Sequence, residues 1–172
     1  MSGQQHCEVP EIFTKRVTRQ LMPEELESRI LRFLSSRQVC VLSTCRDNQP
    51  RSTPILFRSK GFTLYMAGEP GRKLGNIKIN PKVSVGIFDP KAEFSDDIHD
   101  ITGLQISGHA KLIGKDDPGF MEAFGLFDRP EAWARHWYGM MIEVVPDTIE
   151  LLSMALKREE YAARQIWTSP SS

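Results

Sequence analysis

Apolar residues recur at two different spacings along the chain. In "PEELESRILRFLSSR", Leu26, Ile30, Phe33 and Leu34 repeat at helical spacing; Pro23 suits a first helical position, and Glu24 and Glu25 suit the positive end of a helix dipole. From Val39 the period drops to that of strands. "VCVLSTC" is a strand rich in β-branched residues, "RDNQP" a turn, and "RSTPILFRS" a second strand in which Pro54 predicts an edge or a local bend. "SKG" turns the chain into "FTLYMAG"; a short helix runs from about Arg72 to just before Pro81, and "KVSVGIF" is a further strand. "ITGLQISGHAKLIG" alternates as a long strand in which Gly103 and Gly108 mark bulges or close approaches. "DDPGFMEAFGLFDRPEAWARHWYG" reads as one or two helices broken near Arg129-Pro130, and "MMIEVVPDTIELLSM" as a strand pair or one strand bent at Pro146. Sequential antiparallel strands with short helices between them predict a mainly β fold, a barrel with flanking helices. The expected organisation is an arm over 1–20, a barrel domain over 21–156 and a polar tail over 157–172, with a long acidic loop from Asp89 to Asp100.

Charge changes this picture only locally. Lys and Arg total 22, as do Asp and Glu, so no global field favours nucleic acid or an anionic membrane surface, and no membrane span is expected. Three cysteines leave at least one unpaired, which predicts a cytoplasmic protein with Cys40 and Cys45 as buried or half-buried thiols. The histidines, His6, His99, His109 and His136, show no metal-ligand spacing, and no metal is expected.

One stretch, "MAGEPGRKLGNIKINPKV", breaks a local rule. It places Arg72 and Lys73 in the first turn of a helix, where the dipole already presents positive charge. Neither the P-loop nor the dinucleotide fingerprint fits, but Gly68 and Gly71 give the preceding loop unusual backbone freedom. A strand, a glycine-containing loop and a helix start carrying two cations can converge on an anion. Arg51, opening the second strand, supplies a third cation if that strand lies alongside, and such a set suits a phosphate monoester. Without an anion the three would repel one another.

The run from "VCVLSTCRDNQPRSTPILF" through "FTLYMAGEPGRKLGNIKINPKVSVGIF" to "ITGLQISGHAKLIG", Val39 to Gly114, resembles the FMN-binding split β-barrel proteins related to pyridoxamine 5′-phosphate oxidase. The resemblance implies a six-stranded antiparallel split barrel, a homodimer, and FMN in the cleft between subunits. It assigns the flavin phosphate to Arg72 and Lys73, with Arg51 as the family's arginine at the start of the second strand. Ser52, Thr53 and Pro54 would border the isoalloxazine or ribityl chain, Met66 and Ala67 would contact the cofactor ahead of the loop, and Gly71 would offer a backbone N–H where many members have serine. Gln105 would lie in a strand at the dimer interface. The ending "YAARQIWTSPSS" lacks the substrate signature of the vitamin B6 oxidases, so the implied activity is that of a flavin oxidoreductase with another small-molecule substrate or electron donor. The alternative is a flavin- or haem-binding carrier or sensor of the same fold, with His109 or His136 recruited as ligand. Trp133 and Trp137, four residues apart on a predicted helix, read as core packing in preference to stacking on a cofactor.

Overall fold

The structure, a computed structural model, describes residues 14–90, 101–137 and 139–170. Residues 91–100 of the expected acidic loop (Asp89 to Asp100) and most of the expected N-terminal arm lie outside the described residues. Helix α1 (Pro23–Ser35) forms where the periodicity places it: Pro23 occupies the first turn with Glu24 and Glu25, Arg32 lies in the last turn, and Leu26, Ile30 and Leu34 are buried along one stripe.

Strands β1 (Val39–Arg46) and β2 (Gln49–Lys60) form a hairpin joined by Asp47 and Asn48, at φ 50° and 58°. Positive φ at both central residues is the hairpin geometry whose twist matches that of the flanking strands. Strand β3 (Thr63–Gly68) follows, then helix α2 (Arg72–Ile79) and strand β4 (Lys82–Phe88). Strand β5 (Thr102–Ile113), helices α3 (Phe120–Gly125) and α4 (Glu131–His136), strand β6 (Met140–Ser153), a 3-10 turn (Met154–Lys157) and strand β7 (Arg164–Thr168) complete the described chain.

The sheet runs β3-β2-β1-β4-β5-β6-β7, and β3 also pairs with β6, so β1 to β6 close into a six-stranded antiparallel barrel. Fold class and barrel therefore follow the sequence reading, and β6 is one continuous strand across Pro146. The register shift opposite it, between Ser107 and Gly108, explains the glycine: a Cβ on Gly108 would lie 2.3 Å from the Val145 carbonyl oxygen. Inward positions Leu42, Phe57, Leu64, Met66, Ile106, Ile142 and Val144 are almost fully buried and form the barrel core with the α1 stripe.

The segment expected as a polar tail is instead structural. Strand β7 pairs with β6, Trp167 is buried and stacks on Phe62 with ring centroids 4.3 Å apart, and its Nε1 donates to Glu27 Oε1 on α1 at 2.9 Å. Buried Gln165 accepts a hydrogen bond from Leu21 N at 2.9 Å and donates to the Ala162 carbonyl at 2.7 Å. Arg29 of α1 joins the same corner through Glu25 and Glu159, at 2.7 and 2.6 Å, and holds the Glu159 carboxyl below its ordinary range. The alternation in "RQIWT" is only five residues long, too short to separate from a helix turn without its partners.

Cys40 is buried in the barrel and Cys45 half-buried, as their sequence context implies. Burial pushes the Cys40 thiol up to about 12, so it stays protonated across the ordinary working range. With Cys7 and Cys45 changed to serine, the native protein is expected to give no reaction with a disulfide reagent at pH 8 until it is unfolded; prompt reaction would contradict the placement of Cys40. Trp167→Ala is expected to cost about 3–5 kcal/mol in denaturant unfolding, as for other large core aromatics. A loss under about 0.5 kcal/mol, typical of surface positions, would show the C-terminal strand to be dispensable.

Candidate functional site

Two clefts flank the first turn of α2. Gly71 precedes the helix at φ 156°, ψ −171°, a backbone region that essentially only glycine occupies, and no side chain caps the helix start. A serine there would have open space for its Cβ but a disfavoured backbone, which accounts for the glycine in this chain. Helix α2 is pinned to β1 from its far side. Asn76 Nδ2 donates to Thr44 Oγ1 at 3.0 Å, and Asn80 Nδ2 donates to the Cys45 carbonyl at 3.0 Å. Thr44 in turn sits opposite Arg51 in the β1–β2 register. The sequence expectation that Arg51 lies near the helix start thus has a mechanical cause.

The smaller cleft, about 360 Å³, is lined by Arg46, Asp47, Gln49, Pro50, Arg51, Arg72 and Asn76. Among the described residues, neither Arg51 nor Arg72 makes an ion pair or a side-chain hydrogen bond, unlike Arg29 and Arg164, which are matched to carboxylates. Arg46 pairs with the exposed Asp47 and borders the same space. Sequence reasoning missed it because its position depends on the hairpin turn rather than on the helix motif.

The larger cleft, about 720 Å³, has two walls. One comes from the barrel and α2: Thr53, Pro54, Ile55, Leu56, Ala67 and Lys73. Lys73 thus faces a different cleft from Arg72, a correction to the expectation that both converge on one point. Successive residues of an α-helix point about 100° apart, so a neighbouring pair rarely shares one target. Thr53 Oγ1 is buried on this wall with no hydrogen-bond partner.

The other wall is the α3–α4 segment, contributing Phe124, Phe127, Arg129, Trp133, His136 and Trp137. It stands on a second core in which Phe120, Ala123, Phe124 and Phe127 pack with Ile113 and Met141, and Lys60 on β2 ties α3 down through Glu122 at 2.6 Å. The expectation of core packing holds only in part for the tryptophans. Trp137 is half-buried and packs against this second core, whereas Trp133 is 57% exposed, because α4 is too short to bury both.

Two further sequence assignments, Met66 and Ser52, need correction. Met66 is fully buried inside the barrel, so its side chain reaches neither cleft; alternation along β3 turns Ala67 to the larger cleft instead. Ser52 faces the barrel exterior, where its Oγ lies 3.1 Å from Ser43 Oγ. Gln105 is exposed on the outer face of β5, opposite Gly86 and Glu150, in a groove with Val41 and Phe88, away from both clefts within one chain. The two histidines also separate: His136 lines the larger cleft, while His109 pairs with Asp147 at 2.9 Å on another surface. Among the described residues no three His, Cys, Asp or Glu side chains cluster as metal ligands, and no helix is long and apolar enough to cross a membrane.

Asn76→Ala is expected to destabilise the fold by about 1–3 kcal/mol, because Thr44, only 2% exposed, loses the partner that satisfies its hydroxyl oxygen. Urea unfolding checks this, and an unchanged midpoint would remove the pin from the account.

Comparison with known proteins agrees with this geometry. A family model described as pyridoxamine 5′-phosphate oxidase matches residues 26–152, well over half of the chain. A curated relative, the uncharacterized protein RA0666 of Rhizobium meliloti (strain 1021), is 42% identical over 48 residues, a match spanning 28% of this chain and 32% of that protein's length. Among solved structures, a pyridoxamine 5′-phosphate oxidase candidate from Listeria innocua superposes with a TM-score of 0.55 at 27% identity, covering 74% of this chain and 98% of that one. An FAD-binding protein from Mesorhizobium loti gives 0.57 at 17% identity, covering 76% and 92%. The haem storage protein HutZ from Vibrio cholerae gives 0.58 at 17% identity, covering 70% and 89%. At the last two identities the likeness is one of fold. The barrel, the matched span and the cation-bearing helix start together place this chain in the pyridoxamine 5′-phosphate oxidase family.

Proposed function

We propose that this protein is an FMN-dependent oxidoreductase that works as a homodimer. The observation that carries the reading is the pair of arginines, Arg51 and Arg72, facing one cleft without acidic partners at the uncapped start of α2. Helix N–H groups, the helix dipole and two guanidinium forks suit the terminal phosphate of FMN. Next along β2 and α2, Thr53, Pro54, Ala67 and Lys73 would hold the rest of the cofactor in the larger cleft, where the orphaned Thr53 hydroxyl fits a polar edge. Its volume lies within the range of small-molecule sites. Bound there, the flavin supplies two-electron redox chemistry; the protein's part is to orient it, exclude water on the aromatic side and place the Lys73 charge beside it.

The dimer reading draws support from an exposed apolar face. Val39 is opposite Leu56, Val41 opposite Pro54 and Gly86, and Phe88 opposite Gly103, so the register brings these outward side chains together across β2, β1, β4 and β5. Val39, Leu56 and Phe88 are 55%, 47% and 57% exposed, and a second copy covering them would bring Gln105 to the interface. Phe88→Asp is expected to shift the protein from dimer to monomer in sedimentation with loss of bound flavin; a wild-type monomer that keeps flavin would contradict the dimer.

Arg72→Ala and Arg51→Ala are each expected to weaken FMN binding about 10- to 100-fold, the loss of one charge-assisted contact to phosphate. Lys73→Ala, facing the other cleft, is expected to weaken FMN more than it weakens riboflavin by no more than about twofold, whereas the arginine variants should leave riboflavin affinity nearly unchanged. Equal losses for FMN and riboflavin in the arginine variants would sink the phosphate assignment. A second reading, a haem- or flavin-binding carrier or sensor without turnover, is favoured by His136 in the aromatic cleft. Haem uptake abolished by His136→Ala would establish it.

A further inference from the structure

The flavin reading gives the aromatic wall of the larger cleft no ligand of its own, and the wall comes from α3, α4 and the turn between them, beyond the run that carries the cation motif. An indole left 57% exposed forgoes most of the stabilisation its burial would bring, so Trp133 is not there to pack the barrel. It sits instead at the edge of a concave space that also holds Phe124, Phe127 and Trp137. The Arg129 guanidinium lies 5.5 Å from the Trp133 ring centroid and, among the described residues, makes no ion pair. Among the described residues, Glu69 is the one acid lining this cleft, set against Arg129 and Lys73. An aromatic surface beside an unmatched cation recognises a flat apolar body with a negative charge at its edge.

We propose that Trp133 and Arg129 form the substrate-binding wall of this cleft, and that the substrate class is a planar aromatic molecule bearing a single carboxylate or sulfonate. The redox role of that substrate rests on the flavin reading; the binding itself does not. Stacking on Trp133 places the ring system across the cleft from the Thr53–Leu56 wall, and Arg129, held over the indole, meets the anionic group without first being freed from a carboxylate. The two contributions can be removed separately. A neutral aromatic molecule uses the indole alone, and a non-aromatic anion the guanidinium alone.

The test uses two fluorescent probes, 1-anilinonaphthalene-8-sulfonate and its uncharged counterpart N-phenyl-1-naphthylamine, titrated into the full-length protein before and after addition of FMN. The sulfonate is expected to bind more tightly than the neutral probe, at a single site. Trp133→Ala should weaken both probes about tenfold, while Arg129→Gln should weaken the sulfonate about tenfold and the neutral probe less than about twofold. Trp133 is exposed, so its removal opens no core, and unchanged circular dichroism verifies this. Equal affinity of the two probes for the wild type, or unchanged affinity in Trp133→Ala, overturns the proposal. Flavin absorbance of the same samples separates the two claims: wild type that takes up no FMN yet binds the sulfonate through Trp133 and Arg129 overturns the flavin reading and supports the wall.

Discussion

The hydrogen bond from Asn76 Nδ2 to Thr44 Oγ1 decides where the positive charge of this molecule points. Thr44 is opposite Arg51 in the hairpin, so the same residue that receives α2 also sets the start of β2. Asn80 adds a second bond to the next residue of β1, and Leu74 and Ile77 bury the face between. With α2 held at both its middle and its end, its uncapped N-terminus is delivered to Arg51. Charge that would be unfavourable on an isolated helix becomes, in the proposed function, one side of an anion site.

Barrel closure divides the remaining side chains between faces with different tasks. Inward residues such as Leu42, Phe57 and Met66 form a core with no polar function, and alternation passes the neighbouring residue, Ala67 beside Met66, to the cleft. Outward residues Val39, Leu56 and Phe88 leave an apolar face that runs into the cleft wall at Leu56. The larger cleft exists because α3 and α4 stand on their own small core around Phe120 and Phe124 instead of merging with the barrel. A rigid strand wall and a separately packed helical wall can then differ in chemistry: largely aliphatic with Thr53 and Lys73 on the first, aromatic with Arg129 and His136 on the second.

Much of the fold was legible along the chain because its signals are local. The α1 stripe, the Asp47-Asn48 turn, the strand alternation and the anomalous Arg72-Lys73 start all lie within a few residues of one another. What escaped depends on contacts distant in sequence. Strand β7 is defined by pairing with β6 and by Trp167 reaching α1, and nothing in a five-residue segment announces either. The separation of Arg72 from Lys73 depends on how far α2 is rotated against β1, which Asn76 settles. The exposure of Trp133 depends on α4 ending after six residues, although its spacing from Trp137 is what a buried stripe would also show. Motif position places Met66 and Ser52 at the cofactor, but strand alternation turns Met66 into the barrel, and Ser52 lies against Ser43 outside the walls of both clefts.

The absorption spectrum of the freshly purified protein, with the mass of the molecule released on heating, decides whether FMN occupies the clefts at α2. An FMN protein gives the two bands of oxidised flavin and a released mass equal to that of FMN. A colourless protein that also refuses added FMN, or a single sharp haem band, would contradict FMN binding there.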